Sequence, residues 1–216
     1  KELAKSKGLT INIHAPYVDL NPSPENVYEI DVFLGRISKI VEYASYLESD
    51  YVLVHPGKIE DEVLALKGAR PSSIWRRNLD VLCEFADICI EHGLTPVIEN
   101  VYSRRYVIRS FKEMAAFLRS CKKFKLMLDI AHAYLVGDLE RYVSDLARKV
   151  YGLHLCNTDG LKDEHLPVTM GVINWRSILE SLMLKGFNGY IVLEVREIND
   201  MRKSLEAVRL FLRGYG

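Results

Sequence analysis

The sequence lacks several features that would assign it to a functional class at once. Lysine and arginine number 29, as do aspartate and glutamate, so the chain has no overall positive charge that would attract nucleic acid. Binding of nucleic acid would have to depend on a local basic patch. Its apolar runs are far shorter than a membrane span. Neither the G-x-G-x-x-G nor the G-x-x-x-x-G-K-S/T pattern occurs, which weakens any interpretation as a nucleotide-binding fold.

Cysteine is also scarce. The four cysteines, Cys83, Cys89, Cys121 and Cys156, show no C-x-x-C spacing. We therefore predict reduced, mostly buried thiols and a cytoplasmic location for the protein. No base is spaced to activate Cys156, so we interpret it as a small packing residue rather than a nucleophile.

Short apolar segments alternate regularly with helical ones. We predict strands over residues 9–14, 51–55, 94–99, 124–129, 150–155 and 190–194, with a weak strand over 167–170. Helices are predicted near residues 25–47, 72–93, 110–122, 138–149, 175–186 and 201–212, and a loop over 132–137. Near-continuous apolar strands that alternate with helices are typical of a parallel sheet covered on both faces.

The number of strands indicates the architecture. Seven strands become eight if one lies upstream, and residues 1–8 resemble a helix end, with lysines in the last turn and Gly8 as a C-cap. We therefore predict an α/β fold, a (β/α)8 TIM barrel that lacks its first strand and most of its first helix in this sequence. Residues 1–216 would form this single, N-terminally incomplete domain. An open doubly wound sheet is the alternative.

Side chains that can bind a metal ion stand where the predicted strands end. Six of them follow or close a strand: His14, His55, Glu99, Asp129, His154 and Glu194. Three more lie in loops just beyond such ends: His132, Asp163 and His165. Because the carboxyl ends of barrel strands form one face, we predict that these nine side chains converge on a divalent-metal site.

Each of these residues also has an ordinary explanation. A lone histidine after a strand is usually hydrogen-bonded in a core or loop, and Asp129 before a helix is often only a cap. Chance does not explain, however, why five of the six histidines fall on this edge. The sixth, His92, precedes Gly93 at a predicted helix end, where its side chain interacts favourably with the helix dipole.

The same residues carry a resemblance to a known family. The segments HAPY (14–17), HPG (55–57), IEN (98–100), LDIAH (128–132), HLCNTDG with DEHLP (154–167) and LEV (193–195) resemble those of the xylose isomerase-like barrels. That superfamily includes sugar phosphate isomerases and epimerases and the DNA-repair enzyme endonuclease IV. The resemblance covers nearly the whole chain, from residue 11 to residue 194.

Resemblance to the isomerases and epimerases implies a metal-dependent enzyme that acts on a small sugar or sugar phosphate. One divalent ion, such as Mn²⁺, Mg²⁺ or Co²⁺, would be held by Glu99, Asp129, His154 and Glu194. Glu99 and Glu194 would be catalytic, removing and returning a proton through a metal-bound enediolate. His132 would contact substrate hydroxyls. The loop NTDGLKDEHLPVTMGVINW (157–175) follows the sugar-isomerase pattern and favours this interpretation, although Asn174 replaces an aspartate.

Resemblance to endonuclease IV implies instead an enzyme that cleaves DNA at abasic sites. It would hold up to three zinc ions: one on His14, His55 and Glu99, one on Glu99, Asp129, His154 and Glu194, and one on His132, Asp163 and His165. Tyr17 matches a tyrosine that contacts DNA in that enzyme. Glu164 stands where that enzyme has an arginine, and it would repel a phosphodiester backbone. A non-catalytic or regulatory barrel is a further alternative, and the oligomeric state is left open.

Arg196 is a further candidate for substrate binding. Strand side chains alternate, so Arg196 would share a face with Glu194 if the last strand continued past it. Its guanidinium would then bind an anionic group of the substrate. The alternative is a salt bridge to Glu194 or Glu197.

Overall fold

The computed structural model describes residues 1–18, 20–23, 27–59 and 72–215. The chain divides into two compact units, Lys1–Lys125 and Leu126–Gly216, called the first and second units below. Within the described residues, no helix is both long and apolar enough to cross a membrane. The predictions of a single domain over residues 1–216 and of a cytoplasmic location stay predictions.

Helices alternate with parallel strands in the first unit. The elements are α1 (Glu2–Ser6), β1 (Ile13–His14), α2 (Val27–Tyr46), β2 (Tyr51–Val54), α3 (Ser72–Glu91), β3 (Thr95–Glu99) and α4 (Phe111–Ser120). Every residue of β2 is buried, as its continuous apolar sequence predicts. The helix α4 begins at a capping box, in which Ser110 accepts from the Glu113 backbone and the Glu113 carboxylate accepts from the Ser110 backbone.

The register of this sheet brings three strand ends together. Strand β1 pairs with β2 so that His14 lies opposite Leu53. Strand β2 pairs with β3 so that Val54 lies opposite Ile98. His55 and Glu99, each one residue further along, therefore emerge side by side at the carboxyl edge.

Two cysteines of the first unit differ from the sequence prediction. Cys83 on α3 and Cys121, the C-cap of α4, form a disulfide, with their Cα atoms 6.1 Å apart. The prediction of reduced thiols is therefore wrong for this pair, because packing brings together helix positions 38 residues apart. Cys89 is free and buried in the same unit and Cys156 in the second, in agreement with the prediction of reduced, buried thiols.

The second unit contains three more parallel strands. Its elements are β4 (Lys125–Asp129), α5 (Ile130–Leu135), α6 (Leu139–Asp145), a 3₁₀ turn (Ala147–Lys149), β5 (Val150–Leu155), α7 (Trp175–Leu184), β6 (Tyr190–Leu193) and α8 (Ile198–Arg213). Asp129 lies opposite His154, and Leu155 lies opposite Leu193. Asp129, His154 and Glu194 thus reach the same edge. Asn174 caps α7 by accepting from the Ser177 backbone, a role that asparagine fills as well as the aspartate of the family pattern.

Three predicted segments differ most from the structure. The first strand is limited to Ile13–His14 rather than residues 9–14. Residues 132–137, predicted as a loop, lie mostly in α5, because the Asp129 carboxylate caps it by accepting from the His132 backbone. Residues 167–170 form a turn closed by a bond from Met170 N to Pro167 O of 2.9 Å, not a strand. The described residues therefore contain six strands rather than seven.

Candidate metal centre

The first unit places His14, His55 and Glu99 in one cluster. Their potential ligand atoms lie within 4.8 Å of one another. The Glu99 side chain is buried, and its Oε2 lies 3.3 Å from His14 Nε2 and 3.1 Å from His55 Nε2. Three predicted ligands, brought from the ends of β1, β2 and β3, therefore meet around one carboxylate oxygen.

A backbone carbonyl determines the tautomer of His14, and so which ring nitrogen carries the lone pair. His14 Nδ1 lies 2.9 Å from the carbonyl oxygen of Ala15, which can only accept, so Nδ1 carries the proton in the neutral ring. His14 Nε2 then presents a lone pair toward Glu99 Oε2. A cation between the two atoms would relieve their repulsion, and a carbonyl behind the ring is the usual support of a metal-binding histidine.

Two tyrosines fix the orientation of the His55 ring. Tyr17, predicted as a substrate contact, stacks on His55 with ring centroids 4.7 Å apart and an interplanar angle of 18°. The Tyr106 hydroxyl lies 3.3 Å from His55 Nδ1. Burial, together with the charge of Glu99, raises the pKa of Tyr106 to about 12, so its hydroxyl keeps its proton at neutral pH.

Tyr106 was not identified by sequence reasoning. It follows Glu99 in an irregular loop, and it reaches His55 because Ile59 N donates to Arg105 O and Val107 N donates to Gly57 O, each at 2.7 Å. Its position in the loop after a strand that ends in a candidate metal ligand was the only signal available.

The second unit places Asp129, His154 and Glu194 in another cluster. Their ligand atoms also lie within 4.8 Å of one another, and His154 Nδ1 is 3.0 Å from Glu194 Oε2. Asp129 and His154 are buried. Asp129 uses its two oxygens differently: Oδ1 caps α5 at 2.7 Å from His132 N, whereas Oδ2 lies 4.0 Å from His154 Nδ1. Its role as a helix cap is therefore compatible with a role as a metal ligand.

His132, Asp163 and His165 form a third group beside this cluster. Asp163 Oδ2 lies 3.3 Å from His132 Nε2 and 3.2 Å from His165 Nε2. His132 Nδ1 is also 3.7 Å from Asp129 Oδ2, so the His132 ring connects the two groups. The buried Oδ1 of Asp163 has no hydrogen-bond partner among the described residues. A buried carboxylate oxygen of this kind can bind a cation.

Charge and burial oppose each other at Asp163 and His165. Burial alone would raise the pKa of the Asp163 carboxyl, but hydrogen bonds from His132 and His165 outweigh it and hold that pKa well below its usual range. The hydrogen bond to Asp163 raises the pKa of His165 against the effect of burial. His165 has the left-handed φ of 52°, a conformation that the surrounding loop must maintain.

Arg196 lies at the edge of the second unit's clusters. Strand β6 ends at Leu193, so the strand does not continue past Glu194, which was the condition for Arg196 to share a face with Glu194. Arg196 nevertheless lines a cleft of about 390 Å³ together with His165 and Glu194. Within the described part of the chain, it forms no ion pair with Glu194 or Glu197. In the loop before His165, the Glu164 carboxylate pairs with the Lys162 ammonium at 2.9 Å.

The donor types in these groups suit a divalent cation. Imidazole nitrogens and carboxylate oxygens are ligands of zinc, manganese and related ions, and buried carboxylates need a compensating positive charge. The lone pair of His14 and the buried oxygen of Asp163 support the same conclusion. These residues therefore fit a divalent metal, whose identity the donor set leaves open.

Comparison with known proteins identifies the family. A family model described as the xylose isomerase-like TIM barrel matches residues 1–213. The chain belongs to this family, and the predicted TIM-barrel fold class and family resemblance are both confirmed.

Individual relatives agree with this assignment. An uncharacterised protein of Methanocaldococcus jannaschii is 31% identical over 218 residues, covering 98% of this chain and 73% of that protein. Fructoselysine 3-epimerase of Shigella flexneri is 26% identical over 212 residues, covering 90% of this chain and 71% of that enzyme. The crystal structure of a D-tagatose 3-epimerase-like protein aligns with a TM-score of 0.88 at 29% identity, covering 98% of this chain and 80% of that one.

Proposed function

We propose that this protein is a divalent-metal-dependent enzyme that isomerises or epimerises a small sugar or sugar phosphate. The expectation of a sugar isomerase or epimerase enzyme is confirmed by its kinship with sugar 3-epimerases. The observation that carries the proposal is the cluster of Asp129, His154 and Glu194 at three adjacent strand ends. The substrate and the chemical steps below are part of the proposal.

The proposed ligands are the carboxylates and the imidazole of that cluster, together with Glu99. Glu99 is included because the family motif IEN (98–100) matches a ligand position of the isomerases. A divalent ion bound there would polarise the neighbouring carbonyl and hydroxyl oxygens of a ketose, which acidifies the hydrogen on the carbon beside the carbonyl.

Glu99 and Glu194 are the proposed proton-transfer groups. Epimerisation requires that a proton leave one face of a carbon and that a proton reach the other face, so two carboxylates serve better than one. One carboxylate would take the carbon-bound proton, leaving an enediolate, and the other would deliver a proton to the opposite face. His55 holds the Glu99 carboxylate in place, because its Nε2 donates to Glu99 Oε2 at 3.1 Å.

His132 is the proposed contact to substrate hydroxyls, as in the family. Its ring is buried between Asp129 and Asp163, which fixes its position. A hydrogen bond between a substrate hydroxyl and this fixed imidazole would orient the sugar for proton transfer.

Solvent exchange at carbon tests the proposal directly. The Mn²⁺-loaded protein is incubated in ²H₂O with D-tagatose, D-fructose, D-fructose 6-phosphate or fructoselysine, and deuterium on the sugar carbons is measured by NMR. We expect deuterium beside the carbonyl of at least one ketose with the wild type and at least a hundredfold slower exchange with Glu99→Gln or Glu194→Gln, since a base in this role contributes about 10²–10⁴-fold.

The matched control is Glu140→Gln, which removes an exposed carboxylate on α6. Its exchange rate should equal that of the wild type. Glu99→Gln should also lose tight metal binding while it keeps the fold. Stoichiometric metal retained by that variant, or no exchange into any of these ketoses, would count against the proposal.

Phosphodiester cleavage at abasic sites is the second candidate function. It is favoured by the clusters around Glu99 and Asp163, because a single-metal isomerase does not require these additional imidazole ligands. Multinuclear metal sites stabilise the attacking and leaving oxygens of a phosphodiester. The metal content of protein purified without added metal separates the candidates: three zinc ions per chain support the nuclease, and one exchangeable Mn²⁺ or Mg²⁺ supports the isomerase.

A further inference from the structure

The backbone of Lys58, in the loop after β2, is fixed by contacts with Asn21 and Tyr106. The Asn21 side chain accepts from Lys58 N at 2.8 Å and donates to Lys58 O at 3.2 Å. Lys58 also forms an antiparallel bridge with Tyr106. Directly bridged residues project to the same side, so the backbone directs the Lys58 side chain toward the Tyr106 ring.

The Lys58 ammonium is fixed between two aromatic rings. Its Nζ lies 5.2 Å from the ring centroid of Tyr17 and 5.5 Å from that of Tyr106. It donates to the Tyr17 carbonyl oxygen at 2.9 Å. An ammonium has three donors, so two remain for a ligand, and no carboxylate pairs with it among the described residues.

These two rings connect Lys58 with the metal-binding cluster. Tyr17 stacks on His55, and the Tyr106 hydroxyl approaches His55 Nδ1. The ammonium therefore lies one ring away from an imidazole of the His14, His55 and Glu99 cluster. Lys58 also lines a cavity of about 300 Å³, together with Arg77 and Glu29. A volume of this size is large enough for an oxyanion.

We infer that Lys58 binds an oxyanion of the substrate, a phosphate or a carboxylate, at the edge of the active site. This inference deepens the proposed function, on which it rests, by restricting the substrate to an acidic sugar derivative. A fixed ammonium loses little conformational entropy when it binds an anion, and a charge-assisted hydrogen bond is stronger than a neutral one. A purely structural Lys58 would only support the two tyrosine rings.

Anion titration tests the inference. Inorganic phosphate and acetate are titrated by calorimetry into the full Mn²⁺-loaded protein as wild type, Lys58→Met, Lys58→Arg and Lys1→Met. Methionine keeps the aliphatic stem and removes the charge. Lys1 is the matched control because its ammonium also lies over a tyrosine ring, 5.0 Å from the centroid of Tyr46.

We expect phosphate or acetate to bind Lys58→Met at least about tenfold more weakly than the wild type, as loss of a charge-assisted bond requires. Lys58→Arg should keep most of the affinity and Lys1→Met all of it. The anion that loses more affinity identifies the substrate group. Thermal melts check folding, and Lys58→Gln replaces Lys58→Met if the latter melts early.

Anion affinity unchanged in Lys58→Met would overturn the inference, since the anion would then bind at a site other than Lys58. The outcome is separable from that of the proposed function. If no ketose exchanges deuterium but phosphate binding depends on Lys58, the anion site stands and the isomerase proposal fails. If ketoses exchange and phosphate binding ignores Lys58, only the assignment of Lys58 fails.

Discussion

At the scale of single residues, the backbone controls the chemistry of two histidines. His14 Nδ1 faces the Ala15 carbonyl, and His165 Nδ1 faces the Glu194 carbonyl at 3.2 Å. Each carbonyl requires a proton on Nδ1, so each Nε2 presents its lone pair to a carboxylate when the ring is neutral. Such a pair is stable only if the imidazole is protonated or a cation lies between the two groups.

Arg196 provides a prediction at this scale. If its guanidinium binds a substrate phosphate in the cleft beside Glu194, Arg196→Lys should weaken a phosphorylated substrate by about 1.5–3 kcal/mol and leave its neutral analogue nearly unaffected. The measurement is kcat/KM for the phosphorylated and unphosphorylated forms of whichever ketose exchanges deuterium.

The control for this prediction is Arg202→Lys, an exposed position on α8. Its kcat/KM should match the wild type for both substrates. Equal losses for the two substrates in Arg196→Lys, or lower thermal stability with unchanged kinetics, would leave Arg196 as a structural residue.

At the scale of elements, the loop from β5 to α7 positions Asp163 and His165. Asn157 organises it: its amide donates to Ile173 O, and its Oδ1 accepts from Ile173 N and Thr158 N. The backbones of Asn157 and Leu166 also pair in a two-residue bridge. The loop is therefore held at both ends by one buried asparagine, and this explains how an irregular segment keeps His165 in its unusual conformation.

Gly171→Ala should disrupt this loop. A Cβ at Gly171 would lie 2.5 Å from both Asn157 Oδ1 and the Thr158 carbonyl, at a φ of +95°. We expect a loss of about 1–3 kcal/mol in the free energy of unfolding, measured by urea denaturation, from steric overlap and backbone strain. Metal affinity should fall as Asp163 and His165 move.

Gly160→Ala is the matched control for the Gly171 variant. Gly160 has a similar φ of +92°, but among the described residues a Cβ there would meet only Val172 at 3.5 Å and Tyr134 at 3.7 Å, both ordinary contacts. Gly160→Ala therefore introduces backbone strain without steric overlap, and it should lower the free energy of unfolding by about 1 kcal/mol. Equal destabilisation of the two variants would show that the contact with Asn157 is unimportant.

At the scale of the whole molecule, buried acidic groups set the response to alkaline pH. Burial raises the pKa of Cys89 from 9.0 to about 12 and, with the charge of Glu99, that of Tyr106 from 10.0 to about 12. The unfolded chain releases these protons at lower pH than the folded one does. Because the folded state then binds more protons, stability falls as pH rises through this interval.

We therefore expect the free energy of unfolding to decrease between pH 9 and pH 12, the interval between the unfolded and folded pKa values of Cys89. Tyr106→Phe should flatten the decrease above pH 10, where the Tyr106 phenol of the unfolded chain ionises. Urea titrations at successive pH values measure the slope. Tyr43→Phe, at a side chain that is 67% exposed, should leave the slope unchanged.

The sequence by itself determined the elements and most of the candidate site. Apolar runs located the strands because parallel strands bury both faces. The helix predicted near residues 110–122 starts close to its predicted boundary, where Ser110 and Glu113 cap it through local hydrogen bonds. The predicted ligands at strand ends fall into two clusters, since the carboxyl ends of neighbouring parallel strands share an edge, and His132, Asp163 and His165 form the third group. Sequence patterns were sufficient for the features that depend on residues close together in the chain, such as strand positions and helix starts.

Only the tertiary structure decided the features that depend on distant residues. The contacts of Tyr106 and Lys58 with His55 and Tyr17 require two loops to pair, and the Cys83–Cys121 disulfide requires two helices to pack. The orientation of His14 depends on the path of its own backbone. Residues 167–170 are largely apolar but form a turn. The turn directly follows Leu166, whose backbone pairs with that of the distant Asn157, and a local sequence pattern does not encode this pairing.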